Sequence, residues 1–506
     1  MSDKKKSAPA GKLKNAPKVK LALVGVSRDC FSDTLTKNRL KALARACRDN
    51  GGKPYTCKTV ISNEAEAMTA LGEVIDAGCN AAVIYLGNFG PEGPLAIFAE
   101  EFPGPVMACA AAEESTASLA NDRGDAFCGL LNACYNFNLR SLNVHIPQAP
   151  VGLPEQLAGE IAHFETVARV LLGVWDMKVF SFGPRPHDFY ACNAPIKPLY
   201  DLGVEIMENS ELDLLTLFNA VDAKDPAVKR VAKAMTAELG EGNTYPDLIP
   251  NLARYEVTLK RFAAENLGSR QYAVFANKCW PAFEAAFGFT PCYINSRMST
   301  QGIPISCETD IYGAFSEYLG YLATGMPVTL LDLNNTVPPD MTPKTAKARA
   351  GAAPEDLFMG FHCGNTPSVC MKNCKLNYQV IMHRLMEDPA LPPNITRGTL
   401  EGQIAASPTT VYRVQGTADG DLAAYISQGQ ILDIDPCTFG GLGIFAVPDF
   451  ARFYRHVLLE GAFPHHAAIA FDHAGKVLFD AIKLLGVENI GTPLPASALY
   501  PGENMF

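Results

Sequence analysis

The segment VKLALVGV (residues 19–26) is a short, uninterrupted apolar run, and it indicates the fold class of the N-terminal part of the chain. Such a run is typical of a strand that is buried on both faces of a sheet. Two similar runs, NAAVIYLG (80–87) and PVMACAA (105–111), follow with helical patterns between the strands. Strands that alternate with helices predict βαβ units and a parallel sheet. We therefore predict a first α/β domain over residues 19–152.

The same alternation continues beyond the proline-containing segment PQAPVGLP (147–154), which we interpret as a domain boundary. The strand patterns MKVFSFG (177–183) and QYAVFAN (271–277) are separated by amphipathic helical patterns. They predict a second parallel-sheet α/β domain over residues 153–325. Beyond it, short strand patterns with glycine-rich turns predominate, so residues 326–506 are predicted to form a β-rich C-terminal domain.

The composition is that of a globular protein with several domains: 506 residues, 48% hydrophobic and 19% charged. A formal net charge of −10 argues against nucleic acid or an anionic membrane as a partner. No segment reaches the roughly 20 apolar residues that span a membrane. Because the N-terminus also lacks the apolar core of a secretory signal, the 15 scattered cysteines indicate a reducing, cytoplasmic location. Residues 1–18, rich in lysine, alanine and proline, are expected to be a disordered basic tail.

The first candidate for chemistry is a pair of acidic residues in the segment SRMSTQGIPISCETDIYGAFSEYLGYLATG (296–325). Glu308 and Asp310 stand where a loop becomes an apolar helix, and a charge in apolar surroundings is costly unless it is paired. Asp310 is well explained as a first-turn carboxylate that interacts with the helix dipole. For Glu308, capping and ligand binding are both open on this pattern alone.

Two further candidates stand in or beside apolar strand patterns. Asp332 is predicted to lie at the carboxyl end of the strand in LLDLNN (330–335), either as a ligand or in an Asx-type turn. His466 begins an apolar run in AFPHHAAIAFDHAGK (462–476), either as a ligand or as a buried core histidine.

Taken together, two carboxylates and one imidazole form an oxygen-rich ligand set that suits Mn²⁺, Mg²⁺ or Co²⁺ better than zinc. No nucleotide cofactor is expected. The GGLG segment (440–443) lacks a following helix, and neither a Walker A motif nor a GxSxG motif is present.

At this point the sequence resembles the L-fucose isomerase family over most of the chain. The resemblance is strongest between residues 285 and 475 and rests on these motifs: GFTPCYINSRMSTQGIPISCETDIYGA (288–314), LLDLNN (330–335), FHCGN (361–365), TRGTLEGQI (396–404) and PHHAAIAFDHAGK (464–476).

The resemblance implies two α/β domains, a β-rich C-terminal domain and a homohexamer with sites at subunit contacts. It also implies that Glu308, Asp332 and His466 hold a Mn²⁺-type ion, which binds O1 and O2 of an open-chain sugar. Glu308 and Asp332 would in addition move a proton between C1 and C2 through an enediol, as general acid and base.

Departures from the family pattern concern the sugar pocket. Gly364 replaces the serine of the usual FHCSN motif, and His465 replaces the asparagine before the ligand histidine. A sugar-contacting tryptophan of the C-terminal domain has no counterpart, since the only tryptophans are Trp175 and Trp280.

The substrate is therefore left open between an L-fucose-like sugar, a D-arabinose-like sugar and a 6-substituted hexose such as a sulfonated sugar. In the loop FGPRPHDF (182–189), Arg185 and His187 could hold an anionic substituent of the sugar, although Arg185 is also explained as a structural turn residue. The other predicted substrate-binding residues are Asn334, His362, Asn365 and His465. A non-catalytic sugar-binding protein and a metal-dependent sugar epimerase are the alternative functions.

Overall fold

The computed structural model describes residues 15–185, 189–279, 282–383 and 396–504. The chain divides into two compact units. The N-terminal unit comprises Pro17–Leu172 together with Asp480–Gly486, and the larger unit comprises Gly173–Phe479, Val487–Phe506 and the start of the chain as far as Ala16. The predicted tail lies largely outside the described residues. Asn15, at its end, bonds to backbone groups of Ala273 and Gly302 in the larger unit.

The N-terminal unit contains a five-stranded parallel sheet in the order β2-β1-β3-β4-β5. Every residue of β1, β3 and β4 is buried, as expected for a parallel sheet covered on both faces. The strands are β1 (Leu21–Val26), β2 (Tyr55–Thr56), β3 (Ala81–Leu86), β4 (Val106–Ala111) and β5 (Val151–Gly152). The helices are α1 (Asp33–Asp49), α2 (Glu64–Asp76), α3 (Glu92–Glu101), α4 (Thr116–Asn121), α5 (Ala126–Leu139) and α6 (Pro154–Trp175).

The larger unit contains a second parallel sheet, with four strands in the order β7-β6-β8-β9. Its strands are β6 (Met177–Phe182), β7 (Glu205–Asn209), β8 (Tyr272–Ala276) and β9 (Ile305–Ser306). The helices that go with it are α7 (Lys197–Asp201), α8 (Glu211–Ala220), α9 (Pro226–Leu239), α10 (Ile249–Asn266), α11 (Ala282–Phe287) and α12 (Cys292–Thr300).

The same unit contains a mixed nine-stranded sheet in the order β12-β13-β16-β11-β10-β17-β14-β15-β18. Most of its neighbouring strands are antiparallel. The strands are β10 (Val328–Thr336), β11 (Leu357–His362), β12 (Met371–Tyr378), β13 (Arg397–Ile404), β14 (Ser407–Gly416), β15 (Leu422–Leu432), β16 (Gly441–Ala446), β17 (His466–Ala470) and β18 (Asn489–Gly491). The remaining α-helices are α13 (Ile311–Thr324), α14 (Val380–His383), α15 (Phe450–Phe453) and α16 (Gly475–Leu484).

Helix α13 is the central helix of this unit. Its start is capped by Asp310, whose side chain accepts from the Gly313 backbone N–H, and its end by Gly325 in the left-handed conformation. Nearly all its residues are buried, because it packs against β10, β14 and β17 of the nine-stranded sheet and β8 of the parallel sheet. The residues just before this helix are thereby fixed against the nine-stranded sheet.

Two parallel-sheet α/β parts followed by a β-rich part confirm the predicted fold class. The predicted domain boundaries stay predictions. Within the described part of the chain, no helix has both the length and the apolar character needed to cross a membrane.

Candidate active site

Asp332 and His466 lie on adjacent antiparallel strands, β10 and β17, and are direct partners in the ladder. Directly opposed residues project from the same face of a sheet, so the two side chains meet there. Asp332 Oδ1 lies 3.5 Å from His466 Nε2. The prediction that Asp332 ends its strand is wrong. Strand β10 continues through a bulge to Thr336, because Asn335 and Thr336 keep pairing with β11.

Glu308 reaches the same histidine from the turn that precedes α13. Glu308 and Thr309 have φ values of 58° and 55°, which are uncommon for residues other than glycine and outlying for a β-branched threonine. Two backbone bonds hold this turn, from Thr309 N–H to the Asn277 carbonyl (2.8 Å) and from Asp310 N–H to the Cys307 carbonyl (3.1 Å). The turn places Glu308 Oε2 at 3.3 Å from His466 Nε2.

The polar atoms at this point are buried and unsatisfied. Neither Glu308 Oε2 nor His466 Nε2 has a hydrogen-bond partner among the described residues, although a buried polar atom normally has one. His466 is 1% exposed, while the side chains of Glu308 and Asp332 are 17% and 22% exposed. Two carboxylates converging on an unsatisfied imidazole nitrogen are a donor set that fits a divalent cation.

The two carboxylates differ in their affinity for a proton. Burial, reinforced by the charge of Glu308, raises the pKa of Asp332 to about 7, against the opposing effect of His466. Burial would also raise the pKa of Glu308, but the contact with His466 outweighs it and lowers that pKa. Of the two, Asp332 is therefore the carboxylate that more readily carries a proton near neutral pH. A bound cation would favour the ionised form of both.

Two of the predicted substrate-binding residues, His362 and His465, lie beside this centre. Ligand-capable atoms of His362, Asp332 and His466 lie within 4.8 Å of one another, so His362 could serve the ion as well as the sugar. His465 Nε2 lies 3.7 Å from Asp332 Oδ1, and burial lowers the pKa of both His362 and His465 to about 4. Phe189 packs edge-on against His465. Neutral imidazoles beside the carboxylates can therefore donate to or accept from sugar hydroxyls.

The other predicted residues are placed differently. Asn365 is 4% exposed, and its Oδ1 is buried with no hydrogen-bond partner in the described part of the chain. Asn334 is exposed and accepts from Asn335 (2.7 Å). Arg185 donates from Nη1 to the Ala194 carbonyl (2.8 Å), a bond within its own loop. His187 lies outside the described residues.

Sequence reasoning missed that three residues lie close to His466 or to its partner Asp310. Asp310, predicted as a helix cap, also lies 2.9 Å from His466 Nδ1. Arg413, on β14, is fully buried and forms two bonds to Asp310. Cys192 Sγ is 4.0 Å from Nδ1, and with Glu308 and His466 it forms a second set of atoms close enough to hold an ion. An arginine within the apolar strand pattern TTVYRVQG (409–416) was the signal available for Arg413.

Comparisons with known proteins identify the family of two parts of the chain. Residues 22–175 match the family described as fucose/sulfoquinovose isomerase, N-terminal domain, and residues 360–491 match the family described as L-fucose isomerase, C-terminal domain.

Among curated relatives, the chain is similar to three proteins that are named sulfoquinovose isomerase. The one from Clostridium sp. (strain MSTE9) is 28% identical over 213 residues, 40% of each chain. The one from Alkalicoccus urumqiensis is 24% identical over 329 residues, which is 63% of this chain and 65% of the relative. The one from Priestia aryabhattai is 23% identical over 346 residues, 66% and 68% respectively. The matches to the first two thus span less than two thirds of each relative's length. The chain nevertheless matches both the N-terminal and the C-terminal domain of the family. It belongs to the L-fucose isomerase family.

Proposed function

We propose that the protein is a divalent-metal-dependent aldose–ketose isomerase that acts on a sulfonated aldose. The observation that carries the proposal is the convergence of Glu308 and Asp332 on the unsatisfied Nε2 of His466, at 3.3 and 3.5 Å. The names of the similar proteins support a sulfonated sugar as the substrate. The resemblance to the family supports Mn²⁺ as the ion and a homohexamer as the assembly.

The reaction requires a proton to move from C2 of the open-chain aldose to C1, and a second proton to move from the C2 hydroxyl to the C1 oxygen. A cation held by Glu308, Asp332 and His466 would supply Lewis acidity toward the sugar oxygens. One carboxylate takes the proton from C2 and returns it to C1 of the enediol, and the other exchanges the hydroxyl proton.

The groups around the carboxylates of Glu308 and Asp332 would select the substrate. His362 and His465 supply hydrogen-bonding groups beside the centre. The resemblance to the family adds Asn365, whose buried Oδ1 has no hydrogen-bond partner among the described residues. Arg185 remains the candidate for the sulfonate. A guanidinium has five N–H donors, so the bond to Ala194 leaves capacity for an anion.

A panel of sugars in heavy water tests the proposal. The protein is stripped with EDTA, reloaded with Mn²⁺, and incubated with sulfoquinovose, L-fucose, D-arabinose and a phosphorylated hexose. NMR then follows ketose formation and deuterium uptake at C2. We expect both with the sulfonated sugar, loss of both in EDTA, and recovery with Mn²⁺.

The same spectra separate the alternatives. Interconversion of two aldoses without a ketose would indicate an epimerase. Binding of a sugar without any deuterium uptake at C2 would indicate a sugar-binding protein. Either result would contradict the proposed reaction, and turnover of L-fucose in preference to the sulfonated sugar would contradict the proposed substrate.

A further inference from the structure

Glu308 approaches the Nε2 side of His466, and a buried pair of charged residues lies at its Nδ1 side. Asp310 is 1% exposed and Arg413 is 0% exposed. Arg413 donates from Nη1 to Asp310 Oδ2 (2.8 Å) and from Nη2 to Oδ1 (2.9 Å). His466 Nδ1 lies 2.9 Å from the same Oδ2. The carboxylate of Asp310 thus bridges the guanidinium of Arg413 and the imidazole of His466.

Arg413 is itself held on several sides. Its Nε donates to Gln415 Oε1 (2.7 Å), and its Nη1 also approaches the backbone carbonyl of His466 at 3.3 Å. Strand β14 pairs directly with β17, so the arginine and the histidine belong to neighbouring strands. Arg413 thus contacts both the carboxylate of Asp310 and the backbone of His466.

We propose that Asp310, clamped by Arg413, is a positioning residue that accepts the Nδ1–H of His466 and so presents the Nε2 lone pair to the metal ion. A neutral imidazole has one N–H donor and one acceptor nitrogen, and the partner of the first determines which nitrogen is the ligand. The inference rests on the proposed metal site. It assigns a positioning role to Asp310 and Arg413, which are not among the proposed ligands of the ion.

Both carboxylate oxygens of Asp310 accept hydrogen bonds, so replacing one of them by an amide NH₂ would disturb these contacts. Four N–H groups converge on its two oxygens: Gly313 N–H on Oδ1, the two Arg413 nitrogens, and His466 Nδ1. Asn in place of Asp keeps the shape and remains a good N-cap, but it has one oxygen instead of two. If that oxygen keeps Gly313, the amide NH₂ faces Nδ1 and favours the tautomer with its proton on Nε2.

The test is the Mn²⁺ affinity of the metal-stripped, full-length protein, measured by EPR titration of free Mn²⁺. Asp310→Asn is expected to raise the Kd by about 10–100-fold, the usual effect of losing a hydrogen-bond partner of a metal-bound histidine. A matched control is Glu256→Gln. It disturbs another buried carboxylate–arginine pair, Glu256 with Arg297 (2.8 Å), which is not among the contacts of His466. It should leave the Kd within about twofold of wild type.

A folded Asp310→Asn protein with the wild-type Kd would overturn the inference and leave the proposed function standing. Conversely, tight Mn²⁺ binding that Asp310→Asn weakens, without isomerisation of any sugar, would contradict only the proposed function. A wild-type protein that binds none of Mn²⁺, Mg²⁺ and Co²⁺ would contradict both.

A second variant covers the case in which Asp310→Asn does not fold, since it leaves the Arg413 charge buried without compensation. The double variant Asp310→Ser with Arg413→Met removes both charges and keeps a favourable N-cap, but serine is too short to reach Nδ1. The same rise in Kd is expected. If both proteins fail to fold while Glu256→Gln folds, Asp310 serves folding rather than metal binding, and the inference is overturned.

Discussion

At the scale of single residues, the tripeptide Glu308-Thr309-Asp310 contacts one imidazole at both of its nitrogens. Glu308 approaches Nε2 and Asp310 approaches Nδ1 of His466. This requires the backbone to reverse within two residues, and the left-handed conformations of Glu308 and Thr309 provide that reversal. Such conformations cost about 1–3 kcal/mol each and persist where the surroundings enforce them, often at functional sites.

The first prediction concerns the two carboxylates. Glu308→Gln and Asp332→Asn keep the size of each side chain and remove its ability to take a proton. We expect the rate of aldose–ketose exchange to fall by about 10²–10⁴-fold in each, because general acid–base catalysis is lost. The rate of deuterium uptake at C2 is measured with bound Mn²⁺ quantified by atomic absorption, so that loss of metal and loss of proton transfer are told apart.

Glu401→Gln is the matched control for these variants. Glu401 is a largely buried carboxylate in the same unit, and it accepts from Asn377 at 2.7 Å. Its variant should retain the wild-type exchange rate. An unchanged rate in Glu308→Gln or Asp332→Asn at saturating Mn²⁺ would rule out the proposed proton transfer.

At the scale of elements, strand register and one helix assemble the centre. Asp332 meets His466 because β10 and β17 pair in this register, and a shift of one residue would turn Asp332 to the opposite face. Helix α13 brings Glu308 and Asp310 to that face by packing closely on β14. A Cβ on Gly320 of this helix would lie 1.8 Å from the hydroxyl oxygen of Tyr412 on β14.

The second prediction concerns this close approach. Gly320→Ala should destabilise the larger unit by about 1–3 kcal/mol, since overpacking exceeds the gain in helix propensity. It should also weaken Mn²⁺ binding, because α13 must shift to relieve the clash. Scanning calorimetry and the EPR titration measure the two effects.

Two further variants test whether the clash with Tyr412 causes the loss of stability. Tyr412→Phe removes the clashing oxygen, so combining it with Gly320→Ala should recover part of the lost stability. Gly72→Ala is the matched control, because Gly72 lies within α2 with open space around its Cβ position. It should be neutral or slightly stabilising. A Gly320→Ala protein as stable as wild type would show that the packing is not tight.

At the scale of the whole molecule, the candidate ligands are concentrated in one of the two units. Glu308, Asp332 and His466 all belong to the larger unit, although more than 130 residues of chain separate Asp332 from His466. An ion held by all three would link the turn before α13 to strands β10 and β17. Binding to the folded state alone should therefore stabilise these segments against opening.

The third prediction follows from that linkage. With free Mn²⁺ at about 100 times its Kd, binding should raise the free energy of unfolding by up to about 2.7 kcal/mol. Hydrogen exchange monitored by mass spectrometry should show slower exchange in peptides covering residues 305–335 and 464–470, with the N-terminal unit as the internal reference. Excess EDTA should reverse the effect. Unchanged exchange in these peptides at saturating Mn²⁺ would contradict a shared ion.

The sequence by itself determined the fold class, because apolar runs of strand length and their alternation with helical patterns are local signals. It also identified Glu308, Asp332 and His466 as candidates, since charged groups within apolar segments stand out without a structure. Each retained a local explanation, however, as a cap, a turn residue or a core histidine. The motifs that resemble the family, rather than any single spacing, connected the three.

Only the tertiary structure decided which groups meet, because strand register, the reversed backbone at Glu308 and the packing of α13 are long-range properties. It showed that Asp332 lies within its strand, that Asn334 is exposed, and that His362 and His465 lie beside the carboxylates. It also showed the pairing of Asp310 with Arg413, two residues that are 103 positions apart. A cap and its distant counter-ion become partners only when a helix start and a strand are brought together, and local sequence cannot specify that contact.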